Sequence, residues 1–161
     1  MSPWSVLAAA MTAGTAVSLI GQAYPTLAPY IRTDLGLSLA AVGLLNTYIY
    51  LGTMLGSLPS GWLTDKLGSR TVMVAGALAG AGLAITIALV AKSQWMFIPF
   101  LFLVGLVVAS ATPAGSQAVA QSFPPERRGL VIGLRQMAVP LGGALAAALL
   151  PSAPLFPAVA Q

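Results

Sequence analysis

Five unbroken apolar runs make up most of the sequence, covering residues 4–31, 39–63, 71–91, 95–123 and 129–150. A helix needs about 20 apolar residues to cross the roughly 30 Å hydrocarbon core of a bilayer. Strands of a membrane barrel would instead alternate in polarity over about ten residues. The runs therefore predict an all-α integral membrane protein, in which residues 1–150 form a bundle of five spans. Residues 151–161 are too few to cross and are interpreted as a stub, either the start of an incomplete sixth span or a truncation tail.

The scarcity of charge excludes several classes of protein. Charged residues are 6% of the chain, against about 25% in a typical soluble domain. Histidine and cysteine are absent, and the three acids, Asp34, Asp65 and Glu126, lie outside the long apolar runs. We therefore expect no enzyme, no metal site and no cofactor. The net charge of +4 comes from basic residues spread singly or in pairs, so a nucleic-acid partner is not expected either.

The basic residues predict the orientation of the chain, because cytoplasmic loops carry an excess of Lys and Arg. Four basic residues follow the second and fourth runs and only two lie on the opposite side: Lys66, Arg70, Arg127 and Arg128 against Arg32 and Lys92. This distribution predicts a multi-pass protein of the cell membrane with a cytoplasmic N-terminus, in contact with membrane lipid.

Polar side chains inside four of the spans indicate a water-accessible cavity, because polar groups in lipid usually face protein or water. The third span has almost none and is interpreted as a lipid-facing scaffold helix. The alternative is hydrogen bonding between helices, worth about 0.6 kcal/mol per bond in membranes. The residues that we expect at a substrate cavity are Gln22, Tyr24, Asn46, Tyr50, Gln117, Arg135 and Gln136.

Arg135 is the residue of the apolar runs that says most about function. It lies six residues past Gly129, hence roughly 9 Å along a helix from its start. Two interpretations stay open: the side chain reaches headgroups or a structural partner, or it contacts an anionic solute. No acid within the predicted spans is available to neutralise it.

Small residues recur at helical spacing in three spans, as Gly52 and Gly56, Gly76 and Gly80, and Gly129 and Gly133. Such pairs let helix backbones approach closely in a membrane. A chain with 17 glycines produces some of these pairs by chance, but together they predict a closely packed bundle.

The stretch GWLTDKLGSR, residues 61–70, concentrates charge between the second and third runs. We expect a loop of about seven residues, with Gly61 allowing close packing and Gly68 a tight turn. Asp65 would lie near the positive end of the third helix. Lys66 and Arg70 would anchor the loop at anionic headgroups.

The order of residues in this stretch resembles a loop motif of the major facilitator superfamily, roughly G-x-L-[AST]-D-[RK]-x-G-R-[RK]. Ser69 departs from the pattern, which otherwise matches at Gly61, Leu63, Thr64, Asp65, Lys66, Gly68 and Arg70. PPERRGLVIGL and MAVPLGGALAAALLP extend the resemblance to about residue 150. Many proton-coupled members carry an arginine in the fourth span, which FLFLVGLVVAS lacks.

The resemblance implies a secondary transporter with 12 spans in two halves that moves a small solute by alternating access. The chain would be its N-terminal half, lacking a complete sixth span, with the C-terminal half expected in a full-length transporter. Asp65 would be the latch of the cytoplasmic side and Arg70 its charge partner, with Gly61, Lys66 and Gly68 completing the motif. The solute is interpreted as small, with a weak preference for an organic anion. The alternative is a five-span membrane adaptor or assembly protein that transports nothing.

Overall fold

The computed structural model describes residues 2–90 and 94–151, and every regular element in those ranges is helical. The helices are α1 (Pro3–Leu35), α2 (Leu39–Leu67), α3 (Ser69–Val90), α4 (Gln94–Ser122), α5 (Arg128–Gln136) and α6 (Ala138–Leu149), with a 3-10 turn at Pro125–Arg127. Five stretches are long and apolar enough to cross a membrane, the fifth running from Pro125 to Leu149. The predicted all-α class is confirmed. Beyond residue 151, the proposed stub lies outside the described residues.

Serine side chains cap the N-termini of α1 and α2. The Ser2 side chain accepts a hydrogen bond from the Ser5 N–H at 3.3 Å, and the Ser38 side chain accepts one from the Ala41 N–H at 3.1 Å. These hydroxyls satisfy N–H groups that have no partner inside a helix. Between them, Gly36 ends α1 in the left-handed conformation at φ 61°, which a residue without Cβ adopts without strain.

The turn between α2 and α3 is much shorter than predicted. α2 continues to Leu67 and α3 begins at Ser69, so Gly68 alone joins them, at φ 82°. The seven-residue loop expected from the sequence is therefore wrong: Asp65 and Lys66 belong to the last turn of α2. The prediction assigned these charged residues to a loop because they interrupt the apolar runs. The end of a spanning helix can, however, extend into the polar headgroup region and carry charged residues there.

Glycines bring α2 and α4 into direct backbone contact. A Cβ added to Gly56 would lie 2.9 Å from the Ala109 Cβ, and one added to Gly52 would lie 3.1 Å from the Gly105 Cα. Only residues without side chains permit this approach. α4 also packs against α1 and α3, and α1 packs along α6, so α4 is central to the bundle.

The other small-residue pairs divide into two groups. Cβ atoms at Gly76 and Gly80 would meet Ser110 and Ile20 side chains at 2.7 Å and 2.9 Å. Among the described residues, no atom lies within 4 Å of a Cβ at Gly129 or Gly133, so the expectation of close packing is wrong for that pair. Gly61 is equally open, and its predicted packing role is wrong as well.

Two apolar clusters hold the helices together at opposite ends of α1 and α4. One cluster is built around Leu7, Ala10, Val119, Phe123 and Val131. The other is built around Tyr24, Ile31, Leu45, Ile49, Phe97 and Leu101. α3 exposes large apolar side chains, namely Val74, Leu78, Ile85 and Leu89, as a helix facing lipid would. The space between the clusters is where the cavity lies.

Candidate functional site

A cavity of about 230 Å³ opens midway along the bundle, between the two clusters. Its walls come from four places in the chain: α1, α2, α4 and the junction of α5 with α6. Residues of α3, as far as the structure describes them, are not part of the lining. The lining is mostly apolar with a few polar groups, as is usual for small-molecule sites.

Four of the expected cavity residues do lie on this wall, namely Gln22, Asn46, Tyr50 and Arg135. Asn46 and Tyr50 share one face of α2 because they are four residues apart. Asn46 is half-buried, whereas Tyr50 and Gln22 are exposed towards the open side. Together they supply two amides, one phenol and one guanidinium.

Three polar wall residues were missed by sequence reasoning: Ser18, Thr53 and Thr112. Helical spacing could have identified Ser18 and Thr53. Ser18 is four residues before Gln22, and Thr53 is three after Tyr50, so both share a helix face with a predicted residue. The Thr53 hydroxyl lies 2.9 Å from the Ile49 carbonyl of its own helix and 3.2 Å from the Gly105 carbonyl, so its shared proton also links α2 to α4 beside the cavity.

Three other expected cavity residues are not part of the wall. Tyr24 is 5% exposed within an apolar cluster, where its hydroxyl donates to the Val42 carbonyl at 3.1 Å. Gln136 is exposed and accepts a hydrogen bond from the Arg135 Nη1. Gln117 hydrogen-bonds residues at the α2–α3 turn instead. For Tyr24 the reason is geometric, because residues two apart on a helix point to different faces.

Arg135 is buried inside the bundle, with only 2% of its surface exposed. Its Nη2 donates to the Ala111 carbonyl of α4 and its Nη1 to the Gln136 Oε1. Nε is buried and has no hydrogen-bond partner within the described residues. The interpretation that Arg135 extends to the headgroups is therefore wrong, whereas structural pairing and solute contact both remain compatible with its position.

A notch in α4 accommodates the guanidinium group. A Cβ added to Gly115 would lie 2.7 Å from both Nε and Nη2 of Arg135. On the other side, a Cβ at Gly14 would lie 3.9 Å from Nη2. The absence of a side chain at Gly115 is thus required for the observed position of Arg135. Sequence reasoning did not single out this glycine.

The fifth span is interrupted beside Arg135. α5 ends at Gln136 and α6 begins at Ala138, and the Met137 N–H bonds the Leu134 carbonyl at 3.1 Å, three residues back. Pro140 lacks the N–H that would bond the Gln136 carbonyl, which explains why the helix breaks there. Arg135 on one side of the interruption and Ala138 and Val139 on the other all line the cavity.

The cavity carries an unbalanced positive charge. All three acids of the chain lie within the described residues, and none of them lines the cavity. Groups of three or more potential metal ligands are likewise absent from the described part of the chain. The arrangement can attract an anion through the guanidinium and hydrogen-bond its polar substituents through the amides and hydroxyls of the wall.

A second polar cluster lies at the α2–α3 turn. The Gln117 Nε2 donates to the Asp65 Oδ1 at 2.7 Å, and the Ser69 Oγ donates to the Gln117 Oε1 at 2.6 Å. Lys66 Nζ lies 4.1 Å from the centre of the Trp62 ring, a cation–π contact. The hydrogen-bond partner of Asp65 is thus Gln117 on α4, rather than the expected Arg70, which is exposed.

Comparisons with known proteins agree with this architecture. The family model described as Major Facilitator Superfamily matches residues 6–153. An uncharacterised MFS-type transporter of Mycobacterium tuberculosis is 33% identical over 150 residues, covering 92% of this chain and 33% of the relative. An uncharacterised transporter of Bacillus subtilis is 34% identical over 123 residues, covering 76% of this chain and 28% of the relative.

A third relative, the gallate transporter of Pseudomonas putida, is 30% identical over 129 residues, covering 78% of this chain and 28% of the relative. This chain spans about a third of the length of the curated relatives it matches. No solved structure gives a significant match. Transporter relatives and five apolar helices identify a multi-pass membrane protein that is not an enzyme. The chain belongs to the major facilitator superfamily.

Proposed function

We propose that this chain forms part of a secondary transporter that moves a small organic anion across the cell membrane by alternating access. The observation that carries the proposal is the buried Arg135 beside a cavity that no acid lines. An arginine near the bilayer centre costs about 2.5–3.5 kcal/mol on insertion scales. A bound anion would offset part of that cost, because a buried charge without a counter-ion is strongly unfavourable.

The polar wall residues support an anion that also carries hydroxyl or other polar substituents. The amides of Gln22 and Asn46 can both donate and accept, and so can the Tyr50 hydroxyl. All three lie on the same wall as Arg135. In this proposal the guanidinium attracts the carboxylate or sulfonate, and the amides and phenol orient the rest of the solute.

The names of several relatives support the same chemical class. They include a gallate transporter, a probable sulfoacetate transporter and a probable galactarate/D-glucarate transporter. Each of these solutes carries a carboxylate or a sulfonate. The similarity covers most of this chain, so the resemblance supports an acidic solute without selecting one.

The remaining parts of the proposal concern the whole transporter. The cytoplasmic N-terminus, the lipid contacts of Lys66 and Arg70, and the latch role of Asp65 are proposed on the basic-residue distribution and the loop motif. A second half would complete the cavity opposite Gln22 and Tyr50, which are exposed here. No specific observation favours the adaptor alternative.

The test is uptake of a labelled carboxylate, such as gallate, into vesicles containing the complete transporter that includes these residues. Arg135→Gln and Arg135→Lys should both weaken uptake, because one removes the charge and the other cannot fill the notch in the same way. Arg127→Gln is the matched control, since Arg127 is exposed and is not part of the cavity wall. Normal carboxylate uptake by Arg135→Gln would contradict the proposal.

A further inference from the structure

Gln117 joins three helices at the α2–α3 turn. It projects from α4, donates to Asp65 in the last turn of α2 and accepts from Ser69, the first residue of α3. Both hydrogen bonds are short, at 2.7 Å and 2.6 Å. Gln117 is half-buried and Ser69 is buried, whereas Asp65 itself is exposed. In the part of the chain that the structure describes, this exposed carboxylate accepts its side-chain hydrogen bond from a residue anchored in the bundle.

The chemistry of the three groups permits one arrangement. An ionised carboxylate only accepts hydrogen bonds, so the NH₂ group of Gln117 must face Asp65. Its carbonyl oxygen then faces Ser69, whose hydroxyl can donate. A glutamate at position 117 would oppose the Asp65 carboxylate, and a leucine would make neither bond. Of glutamine, glutamate and leucine, glutamine is thus the side chain that makes both hydrogen bonds with an ionised Asp65.

We propose that Gln117 is a positioning residue that holds the Asp65 carboxylate in the orientation required for the conformational latch. The inference rests on the proposed role of Asp65 in alternating access. An exposed aspartate without a fixed partner would occupy several rotamers. A hydrogen bond to a charged acceptor is among the stronger ones in proteins, so Gln117 confines Asp65 while leaving its second carboxylate oxygen available to the latch.

The first experiment measures the turnover rate and the KM of carboxylate uptake for Gln117→Leu in the complete transporter. Turnover should fall by about tenfold or more, the scale expected for losing a hydrogen bond to a charged group. The KM should stay within about twofold, because Gln117 is not on the cavity wall. Gln121→Leu, one turn further along α4 and exposed, is the matched control and should leave both values unchanged. An unchanged turnover rate in Gln117→Leu would overturn the proposal.

A double-variant cycle separates positioning from general support of the fold. If Gln117 acts through Asp65, then Gln117→Leu should add little to the defect of Asp65→Asn. If both losses appear in full in the double variant, Gln117 acts independently and the proposal is wrong. If Asp65→Asn alone transports normally, the latch itself fails, which is a distinguishable result.

Exchange of the two groups provides a second test that does not depend on losing the contact. In Asp65→Asn with Gln117→Glu, the amide and carboxylate change places and can still hydrogen-bond each other. The thermal midpoint of this double variant should equal that of the unmodified protein. Its turnover should stay low, because the carboxylate no longer lies on α2. Recovery of full turnover would show that only the link between helices matters, and would overturn the positioning role.

Discussion

Gly52 of α2 and Gly105 of α4 face each other where the backbones of the two helices are in direct contact. A Cβ on Gly105 would lie 2.9 Å from the Gly52 Cα and 2.8 Å from the Thr53 nitrogen. The neighbouring atoms are backbone, so they cannot move aside as a flexible side chain would. This contact fixes α2 against α4 and thereby sets the width of the cavity that both helices line.

Gly105→Ala should separate the two helices and destabilise the protein. Forcing a methyl group into a filled space costs typically about 1–3 kcal/mol, which should lower the thermal midpoint by several degrees. Gly82→Ala is the matched control, because a Cβ at this helical glycine meets nothing within 4 Å. Thermal unfolding in detergent measures both variants, and equal midpoints would contradict the packing role of Gly105.

Gly115→Ala tests the notch that accommodates Arg135. The added methyl group would fall 2.7 Å from Nε and Nη2, so the guanidinium must move from its position. We expect the KM for a carboxylate solute to change by about tenfold, the factor that 1.4 kcal/mol of binding free energy corresponds to. Gly133→Ala, on the same helix as Arg135 and with open space around its Cβ, should bind normally. Equal KM values for the two variants would show that the position of Arg135 does not govern solute binding.

Ser60 compensates for a proline in another helix. Pro113 has no N–H to donate to the Ala109 carbonyl four residues earlier. The buried Ser60 Oγ lies 3.1 Å from that carbonyl and 2.9 Å from the Ser57 carbonyl of its own helix, so its one proton is shared between the two acceptors. Ser60→Ala should lower the free energy of unfolding by about 1–3 kcal/mol, because it leaves a buried acceptor unsatisfied.

Adding Pro113→Ala to Ser60→Ala should recover part of that loss, since the new N–H can bond Ala109. Ser57→Ala is the control, because the Ser57 hydroxyl donates to the Thr53 carbonyl of its own helix. Denaturant or thermal unfolding checks the set. A Ser60→Ala loss no larger than that of Ser57→Ala would contradict the compensation.

The class of fold could be predicted from hydropathy alone, because five runs of this length have few alternatives in a bilayer. The cavity was partly predictable, since Asn46 and Tyr50 lie on one helix face by spacing alone. The same spacing argument separates Tyr24 from Gln22, but the sequence does not say which face is inward.

The glycine notch and the partner of Asp65 depend on which helices become neighbours in space. Gly115 forms the notch because Arg135 of α5 packs against α4 in the folded bundle. Gln117 bonds Asp65 because α4 lies next to the α2–α3 turn. Helical periodicity describes one segment at a time. It therefore placed Gln117 among the cavity residues, where the structure does not place it.

Pro140→Ala should remove the interruption between α5 and α6. An N–H at position 140 could bond the Gln136 carbonyl, and proline inside a helix costs about 3 kcal/mol relative to alanine. We expect a higher thermal midpoint together with weaker carboxylate uptake, because Arg135, Ala138 and Val139 reach the cavity wall at this break. Pro29→Ala is the control, since Pro29 lies within α1, is exposed and is not part of the wall. Amide hydrogen exchange should show stronger protection near Met137 in Pro140→Ala alone. If protection and stability rise while uptake is unchanged, the interruption is a feature of folding that solute binding does not use.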